Sequence, residues 1–460
     1  MRWDIMDFIG RVRELEELER IYSEGGSAVM VYGRRRIGKT TLLERFCQDK
    51  RNIFFRCLKD SESSNVAYLS KKLSLFLGED TSISSFMDLF DLLEGCIRQR
   101  TVIVIDEYPY ISSPLVSSLL QHFIDGPLKR SDSMLILCGS SISVMKDQGF
   151  NQSNPLYGRF KRMIHVQPMS FGEIRQFHPG MPEEDVLRLY LTVGGIPKYH
   201  IEMDSGSFEE CIKRNYLESD WMMDETERLT ESELPSPRRA LAILSAIGAG
   251  ATSLSEISQK VGVDATLCSK CISMLMDIGL VSKVRPMFDA PKRPSYRLSD
   301  GLFSFHYEVI QGMTAYLTPG HSDEAYELLK PKIDTFLGRR FEQFCTEFLR
   351  DVYLTIETGT WWMDRGDEHS EIDIVSKVSS RKITYELFCE CKFRNAPMGY
   401  RDYNLLVERS KRFANVTNPR YVMFSISGFE PKLEDLAAED GNVILIGPEE
   451  IFGRRGIKAL

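Results

Sequence analysis

The chain has 460 residues, of which 43% are hydrophobic and 27% are charged, and its formal net charge is −8. This length predicts about three domains, and the composition is typical of a globular protein with buried cores. No apolar run approaches the roughly 20 residues that a membrane-spanning helix needs. The negative charge argues against a protein that coats nucleic acid without sequence preference, although it is compatible with a local basic groove.

The N-terminus reads MRWDIMDFIG, which is short and acidic, so we expect no signal peptide. The ten cysteines are spread widely, and their spacing does not suggest a disulfide framework. Together with the nucleotide motif described next, this pattern predicts a cytoplasmic protein. Cys268 and Cys271 form a lone C-x-x-C pair without a second pair at zinc-finger spacing, so we expect them to pack on a helix.

A phosphate-binding loop follows the first predicted strand. Residues 29–32 are a short apolar run typical of a buried strand, and Gly33 and Gly38-Lys39-Thr40 then complete the pattern G-x-x-x-x-G-K-T. The glycines let backbone N–H groups point at phosphate oxygens, Lys39 reaches the β- and γ-phosphates, and Thr40 offers its hydroxyl to Mg²⁺. The helix that follows directs its positive end at the anion. The predicted nucleotide-binding residues of the loop are Gly33, Arg34, Arg35, Arg36, Ile37, Gly38, Lys39, Thr40 and Thr41. A solvated loop surface accounts for the three arginines more simply than a phosphate contact does.

A second apolar run, residues 101–106, ends in Asp106-Glu107. A buried parallel strand would deliver these carboxylates to its C-terminal edge, where ligands bind in open α/β sheets. Asp106 would hold Mg²⁺ through water, and Glu107 would polarise the attacking water. After the next predicted strand, Ser140 either contacts the γ-phosphate or simply ends the strand. Arg159 suits an arginine finger, although a lone arginine is usually a surface residue.

Five segments occur in a fixed order: VYGRRRIGKTTLLERF, VIVIDEYPYI, LCGSS, PLYGRF and VGGIPKY. In this order they resemble the archaeal-type ATPases of the STAND branch of AAA+-related P-loop NTPases, over about residues 5–230. The resemblance implies a five-stranded core and a preference for ATP. It also implies a helical lid containing Gly194–Pro197, which adds Pro197 to the nucleotide-binding residues, and it matches Arg159 to the family's arginine position.

Residues 238–298 predict a winged helix, with helices at 240–247, 255–261 and 265–278 and strands at 281–284 and 296–298. The exposed side of the third helix would carry Thr266, Ser269, Lys270 and Ser273, and the wing would add Arg285, Lys292 and Arg293. Because only one residue of the helix is basic, DNA contact and a purely architectural or regulatory role are equally compatible with this pattern.

A second chemical signal lies in the last third of the chain. Residues 336–352 predict a helix containing Glu342, residues 371–375 predict a half-buried strand, and a turn at 379–382 leads to a strand containing Glu390 and Lys392. Alternation places Glu390 and Lys392 on one face, and pairing across the turn would bring Asp373 beside them. Two carboxylates suit Mg²⁺, and the lysine could orient or activate a metal-bound water against a phosphodiester.

The segments EIDIV and ECK, after a helix with Glu342, resemble the PD-(D/E)xK nuclease fold and the C-terminal domain often fused to archaeal-type ATPases, over about residues 310–460. Ile372 stands where that motif has proline. The resemblance implies metal ligands at Glu342, Asp373 and Glu390 and catalytic roles for Asp373, Glu390 and Lys392. The alternative is a surface strand pair whose charges form salt bridges.

The predicted fold class is α/β, with a P-loop ATPase core (1–170), a helical lid (171–232), a winged helix (233–310) and a restriction-endonuclease-like domain (311–460). Linkers are predicted at 230–237 and 318–323. We expect ATP and Mg²⁺ as cofactors, nucleic acid as a partner with DNA favoured over RNA, and no membrane contact. A homo-oligomer, with Arg159 acting in cis or in trans, is compatible with the pattern. The predicted function is a Mg²⁺-dependent ATPase coupled to a nuclease-like domain that acts on nucleic acid. The alternative is an ATP-dependent signalling or DNA-binding switch with an inert C-terminal domain.

Overall fold

The computed structural model describes residues 8–203, 206–219, 221–234, 236–284, 287, 295–312, 320–365, 368–380, 382–413 and 416–457. The chain divides into two units. The first contains the residues up to Phe177 together with Gly195–Ile201, and the second contains His178–Gly194 and the residues from Glu202 onward. This division passes through the predicted lid, because a short segment of it packs with the first unit.

The first unit is built on a five-stranded parallel sheet with the strand order β2-β3-β4-β1-β5. Its strands are β1 (Ser27–Tyr32), β2 (Asn52–Arg56), β3 (Val102–Asp106), β4 (Met134–Gly139) and β5 (Arg162–His165). Every residue of β1, β3 and β4 is buried, which explains their continuous apolar runs. The strands β1 and β3 coincide with the apolar runs predicted at 29–32 and 101–106 to within two residues at each end.

Helices surround this sheet and connect its strands. They are Val12–Glu24, Lys39–Cys47, Glu62–Leu77, Phe86–Cys96, Pro114–Asp125, Ile142–Phe150, Phe171–Ile174 and Pro197–Glu202. Short 3₁₀ turns lie at Tyr108–Tyr110, Leu128–Arg130 and Arg175–Phe177. Local sequence sets several of the helix starts. Ser85, for example, caps the helix that begins at Phe86, in a reciprocal pair of hydrogen bonds with Asp88.

The second unit begins with helices and continues into a group that we call the helix–hairpin module. The first helices are Glu183–Val193, Phe208–Ile212 and Trp221–Glu233, with a π-turn at Lys213–Leu217. The module consists of helices Pro237–Gly248, Leu254–Val261 and Ala265–Asp277 and the antiparallel strands β6 (Val281–Val284) and β7 (Ser295–Leu298). These elements lie where the winged helix was predicted. Its predicted exposed side chains at 266, 269, 270 and 273 are exposed, whereas the predicted wing residues Arg285, Lys292 and Arg293 lie outside the described residues.

Helices extend into both of the predicted linkers. The helix Trp221–Glu233 continues through Thr230, and a 31-residue helix, Ser322–Val352, begins 14 residues before the predicted start of its helix. We call the latter the long helix. Its first half was missed because Pro331 interrupts the pattern, yet Ala325, Tyr326, Leu329 and Ile333 continue its buried face. Helix Gly301–Phe305 and a π-turn at His306–Ile310 precede it.

A second five-stranded sheet follows the long helix, in the order β12-β11-β10-β9-β8. Its strands are β8 (Leu354–Arg365), β9 (Glu368–Ser380), β10 (Ile383–Lys392), β11 (Pro419–Ser425) and β12 (Val443–Ile446). The strands β8, β9 and β10 are antiparallel neighbours, whereas β10, β11 and β12 run parallel. Helices Tyr400–Ser410, Pro431–Glu439 and Pro448–Ile451 complete this part of the unit.

Two further observations concern the cysteines and membrane-spanning helices. All ten cysteines are free and buried, and Cys268 and Cys271 lie on the helix Ala265–Asp277 as predicted. Among the residues that the structure describes, no helix is both long enough and apolar enough to cross a membrane.

Candidate functional site

The loop between β1 and the helix Lys39–Cys47 has the backbone of an anion-binding turn. Gly38 has a φ of 91°, and a side chain at Gly33 would place its Cβ 2.6 Å from the carbonyl oxygen of Val166. Both positions therefore require glycine, one for its dihedral angle and one for space. Arg36 also lies in the left-handed region, with a φ of 66°.

Lys39 is buried at the start of the helix, inside this loop. Its Nζ donates hydrogen bonds to the carbonyl oxygens of Gly33 (2.8 Å) and Arg34 (2.9 Å). The ammonium group is thus held along the loop by the loop's own backbone. A cation fixed at the N-terminal end of a helix creates a strongly positive site that suits a phosphate chain.

The Asp106 carboxylate joins the loop helix to β3. Its Oδ2 accepts a hydrogen bond from the Thr40 hydroxyl at 2.8 Å and lies 3.4 Å from Nε of Arg56. Asp106 is almost completely buried, and its Oδ1 accepts from the backbone N–H of Glu107. The two side chains that sequence predicts as Mg²⁺ ligands are therefore in direct contact.

Glu107 follows β3 in the left-handed region, with a φ of 55°. Its Oε2 accepts hydrogen bonds from the hydroxyl of Ser140 (2.8 Å) and from the Ser140 backbone N–H (3.4 Å). Ser140 follows β4, the parallel neighbour of β3, so both residues meet at the carboxyl edge of the sheet. In this structure Ser140 orients the Glu107 carboxylate.

A second group of charged side chains lies where the middle of β9 meets the end of β10. Asp373 Oδ2 accepts a hydrogen bond at 2.7 Å from the backbone N–H of Cys391, which separates Glu390 from Lys392. Glu390 is buried and pairs with Lys392 Nζ at 2.5 Å and with Arg409 Nη1 at 3.2 Å. The predicted antiparallel pairing of β9 and β10 is confirmed, and it brings these three predicted residues to one place in the sheet.

Glu342, on the long helix, faces the same region. Burial, together with the carboxylates of Asp373 and Glu371, raises the pKa of Glu342 to about 8. Burial and the Glu390 carboxylate raise the pKa of Asp373 to about 7. Burial alone would lower the pKa of Lys392, but the Glu390 and Asp373 carboxylates raise it above its ordinary value, so the ammonium keeps its charge. Mutual repulsion among these acids is the kind of strain that a divalent cation relieves.

Within the described part of the chain, no group of three or more His, Cys, Asp or Glu side chains is arranged so that it could hold a metal ion. The donor chemistry fits a hard cation such as Mg²⁺, because Glu342, Glu371 and Asp373 offer carboxylate oxygens. Binding of a cation there would therefore require these side chains to approach one another more closely.

Residues 8–203 match a family described as an ATPase domain predominantly from Archaea. These residues form an archaeal-type P-loop ATPase domain. Residues 306–406 match a family described as archaeal and bacterial proteins of unknown function.

The chain is also similar to two relatives and to a solved structure. An uncharacterized protein of Methanocaldococcus jannaschii is 26% identical over 401 residues, which cover 84% of this chain and 88% of that protein. An uncharacterized ATP-binding protein of the same organism is 42% identical over 50 residues, 11% of this chain and 85% of that protein. A Walker-type ATPase of Pyrococcus abyssi superposes with a TM-score of 0.53 at 20% identity, over 66% of this chain and 97% of that one. The last similarity concerns the fold alone.

Other residues predicted for the nucleotide site make contacts elsewhere in the ATPase domain. Arg159 forms an ion pair with Asp125 at 2.9 Å and donates to the carbonyl oxygen of Tyr157. Arg35 donates to the hydroxyl of Tyr110. Pro197 is buried and begins a helix, just after Gly195, whose carbonyl oxygen accepts from the N–H of Met169 at 2.7 Å. These contacts stabilise the domain in the observed state.

Arg11 is a functional candidate in the ATPase domain that sequence reasoning missed. It is buried, and its guanidinium donates to the carbonyl oxygens of Ile37 in the phosphate loop (2.8 Å) and of Gln167 after β5 (2.6 Å). Its backbone N–H donates to Glu173 at 3.0 Å. Burial alone would raise the pKa of Glu173, but N–H donors of Arg11 and Ser170 lower it. The sequence shows only an arginine before an amphipathic helix, and nothing local indicates contacts with residues so distant in the chain.

Proposed function

We propose that the ATPase domain hydrolyses ATP with Mg²⁺, with Lys39 on the β- and γ-phosphates and Thr40 and Asp106 as the metal-binding side chains. Glu107 activates the attacking water, and Ser140 holds the Glu107 carboxylate in position. The contact between Thr40 and Asp106 supports this role, because it already joins the two oxygen ligands that a magnesium ion would share. Mg²⁺ commonly keeps several waters and takes only one or two protein ligands, so this pair is sufficient.

The test compares turnover and nucleotide binding in wild type, Lys39→Ala and Glu107→Gln. We expect Lys39→Ala to lose binding, because the loop loses its buried cation. Glu107→Gln should bind ATP and lose turnover by about 10²–10⁴-fold, because only the acid–base group is removed. Glu94→Gln, an exposed glutamate on the helix Phe86–Cys96, is the matched control. Equal turnover in all four proteins would contradict the assignment.

For the C-terminal part we propose a nuclease-like domain that cleaves a nucleic-acid phosphodiester, with the helix–hairpin module acting as a winged helix. Asp373 and Glu342 supply carboxylate oxygens for Mg²⁺ or Mn²⁺, with Glu390 next to them on β10. A divalent ion bound there would polarise the phosphodiester and lower the pKa of a bound water. Lys392, which keeps its positive charge, would orient that water or stabilise charge on the phosphate. The single observation behind this proposal is the meeting of Asp373 with the Glu390–Lys392 segment.

A different observation favours a second candidate function, an ATP-dependent switch with an inert C-terminal domain. Both carboxylate oxygens of Glu390 are occupied, Oε1 by Lys392 and Oε2 by Arg409. A carboxylate neutralised by two cations has less attraction for a metal ion. The alternative therefore treats this group as a structural ion-pair network.

The experiment that separates the two functions incubates the full chain with plasmid, branched and single-stranded DNA and with RNA, with Mg²⁺ or Mn²⁺, and with or without ATP. Asp373→Ala and Lys392→Ala are run beside wild type, and Asp435→Ala, an exposed acid on the helix Pro431–Glu439, is the control. Cleavage that is lost in the first two variants and kept in the control supports the nuclease. Cleavage that survives in both variants would indicate another site, and no cleavage together with no metal binding by calorimetry would favour the switch.

A further inference from the structure

A cavity of about 680 Å³ lies within the second unit, between the helix–hairpin module, the long helix and the strands β8 and β9. The carboxylates of Glu342, Glu371 and Asp373 line it. Lys283 and Arg297, on the strands β6 and β7, line the same cavity. Glu342 and Asp373, proposed above as metal ligands, therefore border a partly open cavity to which a second part of the fold contributes.

The basic side chains around this cavity fall into two groups. Arg339 is paired with Glu308 at 2.8 Å, and Arg340 donates to the carbonyl oxygen of Ser299 at 3.0 Å, so both are used in holding the fold together. The other group consists of Lys283, Arg297 and Arg350. All three are exposed, and within the described part of the chain their side chains make no hydrogen bond and no ion pair.

The end of the hairpin is attached to the C-terminal sheet. Met287 donates its backbone N–H to the carbonyl oxygen of Thr360 on β8 at 3.0 Å. Its side chain is 5% exposed and belongs to the same apolar cluster as Trp361. This attachment holds the chain after β6 against β8, at the part of β8 that also lines the cavity.

The size of the cavity selects the form of nucleic acid that fits. Its volume falls within the range of about 300–1,000 Å³ that is typical of sites enclosing one small molecule. A short stretch of a single strand fits such a space. The two strands of a duplex, whose major groove alone is about 12 Å wide, do not.

We propose that this cavity binds a single-stranded stretch of nucleic acid, and that Arg297 contacts its backbone phosphate in the cavity that the carboxylates also line. The proposal rests on the nucleic-acid role proposed above and specifies its substrate class. Arginine suits this position because its planar guanidinium binds phosphate oxygens in a bidentate manner. Lys283 and Arg350 line the same cavity and add positive charge to it.

The test measures binding rather than cleavage, with the full chain and with EDTA present. Fluorescence anisotropy follows labelled single-stranded DNA and RNA of about 12 nucleotides, and a blunt duplex of the same length. The variants are Arg297→Ala, Arg297→Lys and, as a matched control, Lys432→Ala, which removes an exposed cation on the helix Pro431–Glu439 that does not line the cavity. Circular dichroism of each variant verifies that it is folded.

We expect single strands to bind at least about 10-fold more tightly than the duplex. Arg297→Ala should weaken single-strand binding by about 5- to 10-fold and reduce the slope of log K against log salt by about 0.7, the value for one phosphate contact on a single strand. Arg297→Lys should recover part of the affinity, and Lys432→Ala should match wild type. Tighter duplex binding, an unchanged Arg297→Ala variant, or no binding of any probe would overturn the proposal.

These outcomes are distinguishable from a failure of the proposed nuclease. Single-strand binding that depends on Arg297, in a protein that cleaves none of the nucleic acids tested, keeps this proposal and removes the nuclease. Cleavage confined to duplex DNA keeps the nuclease and removes this proposal.

Discussion

Replacement of Arg11 by methionine tests whether a buried arginine holds the phosphate loop in shape. Methionine fills most of the same volume but donates no hydrogen bond. The bond to the Ile37 carbonyl oxygen is fully buried, and the bond to Gln167 is partly buried. A buried acceptor left without its donor costs about 1–3 kcal/mol, and the partly hydrated one costs about 1 kcal/mol.

From these contributions we expect Arg11→Met to lower the free energy of unfolding of the ATPase domain by about 2–4 kcal/mol. The affinity for ATP should fall by about 10-fold, because the loop would have to be reordered on binding. A cost of about 1.4 kcal/mol for that reordering corresponds to one factor of ten in the dissociation constant. Urea unfolding measures the first quantity, and the transition of the ATPase domain is identified by its shift when ATP is added. Calorimetric titration with ATP measures the second.

The matched control is Arg13→Met, two residues further along the same segment, because this arginine is exposed. It should unfold and bind ATP as wild type does. If Arg11→Met unfolds at the same urea concentration as Arg13→Met and keeps wild-type affinity for ATP, then the loop does not depend on Arg11 and the reasoning is wrong.

Two further predictions concern backbone crowding and buried charge. Gly195→Ala should lower the melting temperature strongly or prevent folding, because the new Cβ would lie 1.9 Å from the Met169 carbonyl oxygen. Gly180→Ala is the control in the same melting experiment and should be close to neutral, because a Cβ at that position would have no atom within 4 Å. The unfolding free energy of the second unit should fall as pH rises from about 4.5 to about 8, because the folded state keeps the proton of Glu342 that the unfolded chain releases. Glu342→Gln should flatten that pH dependence, and an equally steep dependence in this variant would show that the raised pKa belongs to another group.

Local patterns were sufficient to predict most of the ATPase domain. Apolar runs of four to six residues predicted β1, β3 and β4 because strands buried on both faces must be apolar throughout. The phosphate loop was equally readable, because its glycines, Lys39 and Thr40 act within a few residues of one another. The match of residues 8–203 to an archaeal ATPase domain agrees with that prediction.

The C-terminal sheet was only partly predictable. The strands around Asp373 and Glu390 were recognised by alternation, whereas β8, β11 and β12 were not predicted. In β8 the apolar residues Leu354 and Ile356 are exposed, and register shifts interrupt the pairing with β9, so the apolar residues of this strand do not mark its buried face. Burial in this strand depends on what packs against it, which a local pattern does not record.

The sequence by itself determined the two chemical motifs and the elements that carry them, because each depends on residues that are neighbours in the chain. Tertiary structure decided which groups those motifs contact. Arg11 reaches Gln167 across 156 positions, Glu107 receives its hydrogen bond from Ser140 just after the neighbouring strand, and Arg297 and Glu342 line the same cavity. Contacts of this kind depend on strand order and helix packing, and these are set by burial of the whole core rather than by any local run of residues.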